Sequence, residues 1–156
     1  MSITDNNDEQ SLTGGGLCIY STKTTKIDNC YFFAILSRRS GSAILFEVEY
    51  ESDEYAESMV VNSMFKSISQ IYDSNELFIQ TGGAVSHGNI KYSKYGITSH
   101  YIYASITDNC YFDKIRLIGD SYYCAHVGIV TYVSAFIKSK NLNFTDNFAL
   151  VQDIWP

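Results

Sequence analysis

Proline is missing from the interior of this 156-residue chain: the only one is Pro156, so no internal backbone donor is removed and no internal φ is fixed by a ring. No apolar run reaches the roughly 18–20 residues that a membrane helix requires. The N-terminus MSITDNNDEQ has neither the basic start nor the apolar stretch of a secretory signal. These absences lead to the expectation of a soluble, cytoplasmic protein that engages no membrane. Basic residues are the minority, 11 against 17 acidic, giving a net charge of −6 and no global field to draw phosphate backbones. Nucleic acid is therefore not an expected partner.

Chemical signatures are also scarce. Cys18, Cys30, Cys110 and Cys124 are scattered without CxxC or zinc-ligand spacing. In a reducing compartment they read as thiols with no disulfide to maintain. No GxSxG, HExxH, GxGxxG or P-loop pattern occurs, and His87, His100 and His126 form no repeated ligand pair. Cys124 and His126 would share one face of a strand, which permits a thiolate–imidazolium pair, but no third group orients them. The sequence thus assigns no catalytic residue, no metal ligand and no cofactor.

What is abundant is tyrosine and phenylalanine, 13 and 9 residues, a supply suited to strands and contact surfaces. Hydrophobic residues at 46% and charged residues at 18% fit a globular chain long enough for one core. Residues 1–16, polar and closed by Gly14-Gly15-Gly16, read as a mobile acidic arm, and 17–156 as one globular domain.

Along that domain, Cys30 to Leu36 reads as a central strand. The Arg38–Ser42 turn before Ala43–Tyr50 then predicts a β-hairpin, with Ile44, Phe46, Val48 and Tyr50 facing the core and Leu45, Glu47 and Glu49 on the other, acidic face. Ser52 can serve as N-cap. Apolar residues at Val60, Val61, Met64, Phe65, Ile68, Ile71 and Tyr72 then predict a helix over 53–72. Ser99 to Ile106 alternates, with His100, Ile102, Ala104 and Ile106 on one face and Tyr101 and Tyr103 on the other. A short C-terminal helix over 146–154 completes the elements. The pentapeptide Asp-Asn-Cys-Tyr-Phe occurs at both 28–32 and 108–112, which raises a pseudo-two-fold repeat of hairpin plus helix.

The expected fold is α+β: a mainly antiparallel sheet of hairpins with the two helices packed on it. The expected function is non-enzymatic, an acidic module that masks or escorts a basic protein partner. Its most concrete form is an immunity protein neutralising a toxin such as a nuclease. A secretion-effector chaperone and a ligand-binding or enzymatic domain with a pocket between sheet and helix are the alternatives. The candidate contact residues are Glu47, Glu49, Glu51 and Glu54 of the acidic run, with Tyr101 and Tyr103. A homodimer is compatible with the same composition.

Overall fold

The computed structural model describes residues 16–20, 24–37, 42–47, 56–71, 83–93, 96–100, 102–120 and 128–152. Among them are eighteen strands and no helix. The first rung comprises Leu17–Tyr20 (β1), Thr25–Asp28 (β2), Tyr31–Phe33 (β3) and Leu36–Ser37 (β4). The second comprises Ile44–Glu47 (β5), Glu57–Val61 (β6), Met64–Lys66 (β7) and Ser69–Ile71 (β8). The third begins with Val85–His87 (β9) and takes in a hairpin of Asn89–Ser93 (β10) and Gly96–His100 (β11). It continues through Ile102–Asp108 (β12), Tyr111–Asp113 (β13) and Arg116–Asp120 (β14). Val130–Tyr132 (β15), Ser134–Lys140 (β16), Asn143–Thr145 (β17) and Phe148–Gln152 (β18) form the fourth.

The rungs stack, so each strand pairs with its equivalents above and below. The first face runs β1-β5-β9-β15, the second β2-β6-β12-β16, the third β3-β7-β13-β17 and the fourth β4-β8-β14-β18. Every pairing between rungs is parallel; β10 with β11 is the antiparallel exception. This is a parallel β-solenoid, in which no rung can bury its apolar face without a neighbour.

Two tight corners make the rung. Asn29, Asn62, Asn109 and Asn141 carry φ values of 50–53° between the second and third faces. Ala34, Ser67, Lys114 and Asp146 carry 51–56° between the third and fourth. Left-handed backbone turns the chain sharply, and asparagine tolerates it best among residues with a side chain. After each corner the next residue points inward, so from β6 through β8 the buried positions are Ser58, Val60, Ser63, Phe65, Ile68 and Gln70.

Stacking then aligns like with like. Phe32, Phe65, Phe112 and Phe144 lie face over face with centroids 5.0, 4.9 and 5.2 Å apart, close to the ~4.8 Å between neighbouring strands. Ile35, Ile68 and Ile115 are buried beside them. In the fourth rung Asn147 stands at the equivalent corner position, accepting from Ile115 N at 2.8 Å and donating to Phe112 O at 2.9 Å.

These findings correct the expected α+β architecture and its antiparallel sheet. Residues 57–71 of the expected helix 53–72 are β6, β7 and β8, and 53–55 and 72 lie outside the described residues. The misleading signal has a physical source. Inward Val60 and Phe65 each sit beside an outward apolar neighbour, Val61 or Met64, so doublets four residues apart imitate a helical stripe. Residues 148–152 of the expected C-terminal helix are likewise β18, Asp146 holds a φ of 51° that no right-handed helix admits, and 153 and 154 lie outside the described residues.

The expected hairpin over 43–50 is absent as well, because β5 pairs in parallel with β1 and β9; its turn at 38–41 lies outside the described residues. Both faces of β5 are buried, as inner parallel strands commonly are, so Leu45 and Glu47 of the expected outer face are not solvent-facing, while Val48, Glu49 and Tyr50 lie outside the described residues. The run Cys30–Leu36 bends at Ala34 and belongs to the first rung. In β12, Tyr103 N and Ala104 N both donate to Ala56 O, at 2.9 and 3.3 Å. This bulge inverts the alternation: Ile102, Ser105 and Thr107 are buried while Ala104 and Ile106 turn outward.

The repeat unit is a single rung. Asp28–Phe32 and Asp108–Phe112 occupy the same corner two rungs apart, and the rungs between and after keep only its Asn and Phe, as Asn62 with Phe65 and Asn141 with Phe144.

Candidate interaction surface

Alternation in a strand requires that when Phe32 points inward, Tyr31 and Phe33 point out. They do: Tyr31 is 58% and Phe33 45% exposed, their rings stacked at 5.8 Å. Register carries Tyr31 onto Met64 and then Tyr111, and Phe33 onto Lys66 and Asp113. Leu36 and Ile71 continue the exposed apolar surface around the second corner onto the fourth face. The result is an apolar shelf over the first two rungs, built from Tyr31, Phe33, Leu36, Met64 and Ile71.

Polar groups rim it. Lys66 Nζ lies 3.5 Å from Asp113 Oδ2. On the corner side, Lys26 Nζ is 2.6 Å from Asp28 Oδ2, and Asn62 Nδ2 donates to Asp28 Oδ1 at 2.8 Å. Those bonds from Lys26 and Asn62 hold the Asp28 carboxyl below its ordinary range. Two rungs on, burial pushes Asp108 up, but Lys140 and Asn141 outweigh it and leave the carboxyl low.

The interior holds a second polar group, centred on His87. Its ring is stacked between Phe46 and Tyr132 at 5.0 and 5.1 Å. Nδ1 lies 2.6 Å from Ser58 Oγ and Nε2 3.0 Å from Thr107 Oγ1, and hydroxyls run on from Ser58 to Ser105 and Ser134. A serine against a histidine is the start of a nucleophile arrangement. Here both are sealed from solvent, and burial holds His87 down at about 3, so the ring is neutral and structural. Among the described residues no group of three His, Cys, Asp or Glu could hold a metal ion.

Of the six expected contact residues, two are described, Glu47 and Tyr103, on different strands. Glu47 is on β5 and only 1% exposed. Tyr103 is exposed on β12 and packs edge-on against Phe136 at 5.1 Å. Glu49, Glu51, Glu54 and Tyr101 lie outside the described residues, as do Cys124 and His126 and all of 1–15. Cys110 is a buried free thiol, pushed up by burial, and Cys30 is a half-buried free thiol. The shelf residues Tyr31, Phe33 and Met64 are not among the contacts expected from sequence.

No helix among the described residues is long and apolar enough to cross a membrane. Comparison with known proteins finds no family model, no curated protein and no solved structure that matches the chain.

Proposed function

We propose that this chain is a non-enzymatic binding module that holds a protein partner against the outer surface of its first two rungs. The observation that supports it most is the shelf: Tyr31, Phe33, Leu36, Met64 and Ile71 exposed together on adjacent strands, inside a rim of ion pairs. An aromatic and methionine centre with a polar border is the anatomy of protein interfaces. Rigid parallel strands also present those rings at little entropic cost on binding.

The partner in this reading has a basic rim around an apolar contact, because a net charge of −6 steers positively charged proteins toward the chain. A toxin bound by an immunity protein has that chemistry. Placement in a reducing compartment such as the cytoplasm is supported by the free thiols of Cys30 and Cys110. The test compares proteins captured by the wild type, by Tyr31→Ser/Phe33→Ser/Met64→Ser, and by Glu49→Gln/Glu51→Gln/Glu54→Gln. A partner held by the wild type and the acidic-run variant but lost by the shelf variant supports the reading. One that the shelf variant retains at full strength refutes it.

A further inference from the structure

One asparagine on the outer surface of the third face differs from the others in both sequence and structure. Of the ten asparagines in the chain, only Asn143 has a serine or threonine two residues on: Asn143-Phe144-Thr145 is the single Asn-x-Ser/Thr site, with no proline between. The hydrogen bonds set the same residue apart. Asn62, Asn109, Asn141 and Asn147 each commit Nδ2 to a bond, with Asp28, Asn62, Asp108 and Phe112 respectively. Asn143 is exposed, and among the described residues its Nδ2 has no partner. Thr145 Oγ1 donates to Asn143 Oδ1 at 3.3 Å, which holds the carboxamide with its oxygen toward the hydroxyl and its nitrogen away from it.

The backbone leaves room around that nitrogen. β17 is three residues long and lies between left-handed Asn141 and Asp146, at φ of 52° and 51°, so the chain bends away on both sides. Asn143 ends the outward column Tyr31, Met64, Tyr111, three strand spacings or about 14 Å from Tyr31.

We infer that Asn143 is an acceptor for N-linked glycosylation, taking a glycan from a donor activated as a diphosphate. In that transfer Nδ2 forms a bond to the anomeric C1 of the sugar as the bond from C1 to the diphosphate oxygen breaks. Nδ2 gives up one proton, the diphosphate leaves with the electron pair, and no oxidant or reductant enters. A nucleotide-linked sugar and a lipid-linked oligosaccharide share this chemistry. The catalytic groups belong to the transferase; this chain supplies an accessible carboxamide with a hydroxyl two residues on. A single sugar there stands clear of Tyr31 and Phe33, so the modification is compatible with a partner on the shelf.

The test is intact-mass spectrometry of the folded full chain after incubation with a soluble transferase that uses UDP-glucose and, in parallel, with a membrane transferase that uses a lipid-diphosphate oligosaccharide. The wild type is expected to gain one glycan, mapped by peptide sequencing to Asn143. Asn143→Gln and Thr145→Val should gain none, and Thr145→Ser should keep the modification because the hydroxyl remains. Far-UV circular dichroism confirms that each variant is folded; Asn143→Gln changes an exposed side chain, so the comparison stands even if Thr145→Val does not fold. Transfer from either donor supports the site and identifies the donor class. A wild type left unmodified by both while a control Asn-x-Thr peptide in the same reactions is modified, a glycan carried only on another residue, or Thr145→Val modified as fast as the wild type would overturn the inference.

Discussion

Asp28 and Asp108, two rungs apart, are equivalent in what they hold, since each accepts a hydrogen bond from the corner asparagine of the following rung, Asn62 at 2.8 Å and Asn141 at 3.0 Å. The cysteines that follow them agree as well, Cys30 Sγ donating to Asp28 O at 3.4 Å and Cys110 Sγ to Asp108 O at 3.3 Å. Between the two copies Asn109 Nδ2 donates to Asn62 Oδ1 at 2.9 Å. A polar ladder thus follows the corner along the stack, and its members combine strained backbone with an outward hydrogen bond.

That combination separates under mutation. Asn109→Ala loses the ladder bond and forces a Cβ-bearing residue without a local hydrogen bond into φ near 51°, and should cost about 2–3 kcal/mol. Asn109→Gly loses the bond but not the backbone conformation, and should cost about 1 kcal/mol. Denaturant melts decide it, and equal losses would show that backbone strain contributes nothing there.

The phenylalanine column makes an ordered prediction. Phe65→Ala opens a void between Phe32 and Phe112 in a site with no exposure, and should cost about 3–5 kcal/mol; Ile68→Ala, beside it, about 2–5. Phe144→Ala, half exposed at the end of the column, should cost well under half of the Phe65 value. Similar losses at 65 and 144 would mean that the end of the column is covered in solution.

His87 gives the protein an acid limit. Its folded pKa of about 3 lies below the ordinary 6.5, so its contribution is fully present above pH 6.5. It falls by about 1.4 kcal/mol per unit as the pH drops from there toward 3, because the unfolded chain takes up the proton first. Asp28 and Asp108, held low when folded, also lose stability in acid, so the diagnostic is a difference. His87→Gln should be less stable at neutral pH, yet show a shallower slope between pH 6 and 4 than the wild type. Parallel slopes would place the titrating group elsewhere.

At the second corner Ala34 holds a φ of 54° without any side-chain compensation. Ala34→Gly should raise stability by about 0.5–1 kcal/mol, the relief of left-handed strain exceeding the entropy that glycine adds to the unfolded chain. A thermal melt that shifts downward would contradict this.

Part of this architecture is legible in the sequence. The repeated pentapeptide marks two true equivalents, and the abundance of tyrosine and phenylalanine with no internal proline agrees with a strand-built chain. The rung period is hidden because the corner asparagines at 29, 62, 109 and 141 are spaced unevenly, by 33, 47 and 32, the longest interval containing β10 and β11. The stretch 57–71 imitates a helix because each corner advances the alternation by one residue, and that phase slip is set by left-handed Asn62 and Ser67 rather than by any proline or glycine. The shelf is not legible because a run such as Cys-Tyr-Phe-Phe reads as wholly buried until its neighbours fix which side is inside.

The most direct measurement is the affinity of the captured partner for the wild type and for Tyr31→Ser/Phe33→Ser, with melting temperatures matched. A central aromatic contact carries about 2 kcal/mol, about 30-fold in affinity, so loss of two should weaken binding on the order of 1,000-fold, mainly through faster dissociation. Unchanged affinity in a variant that melts like the wild type would show that the partner sits elsewhere and that the shelf is not the contact surface.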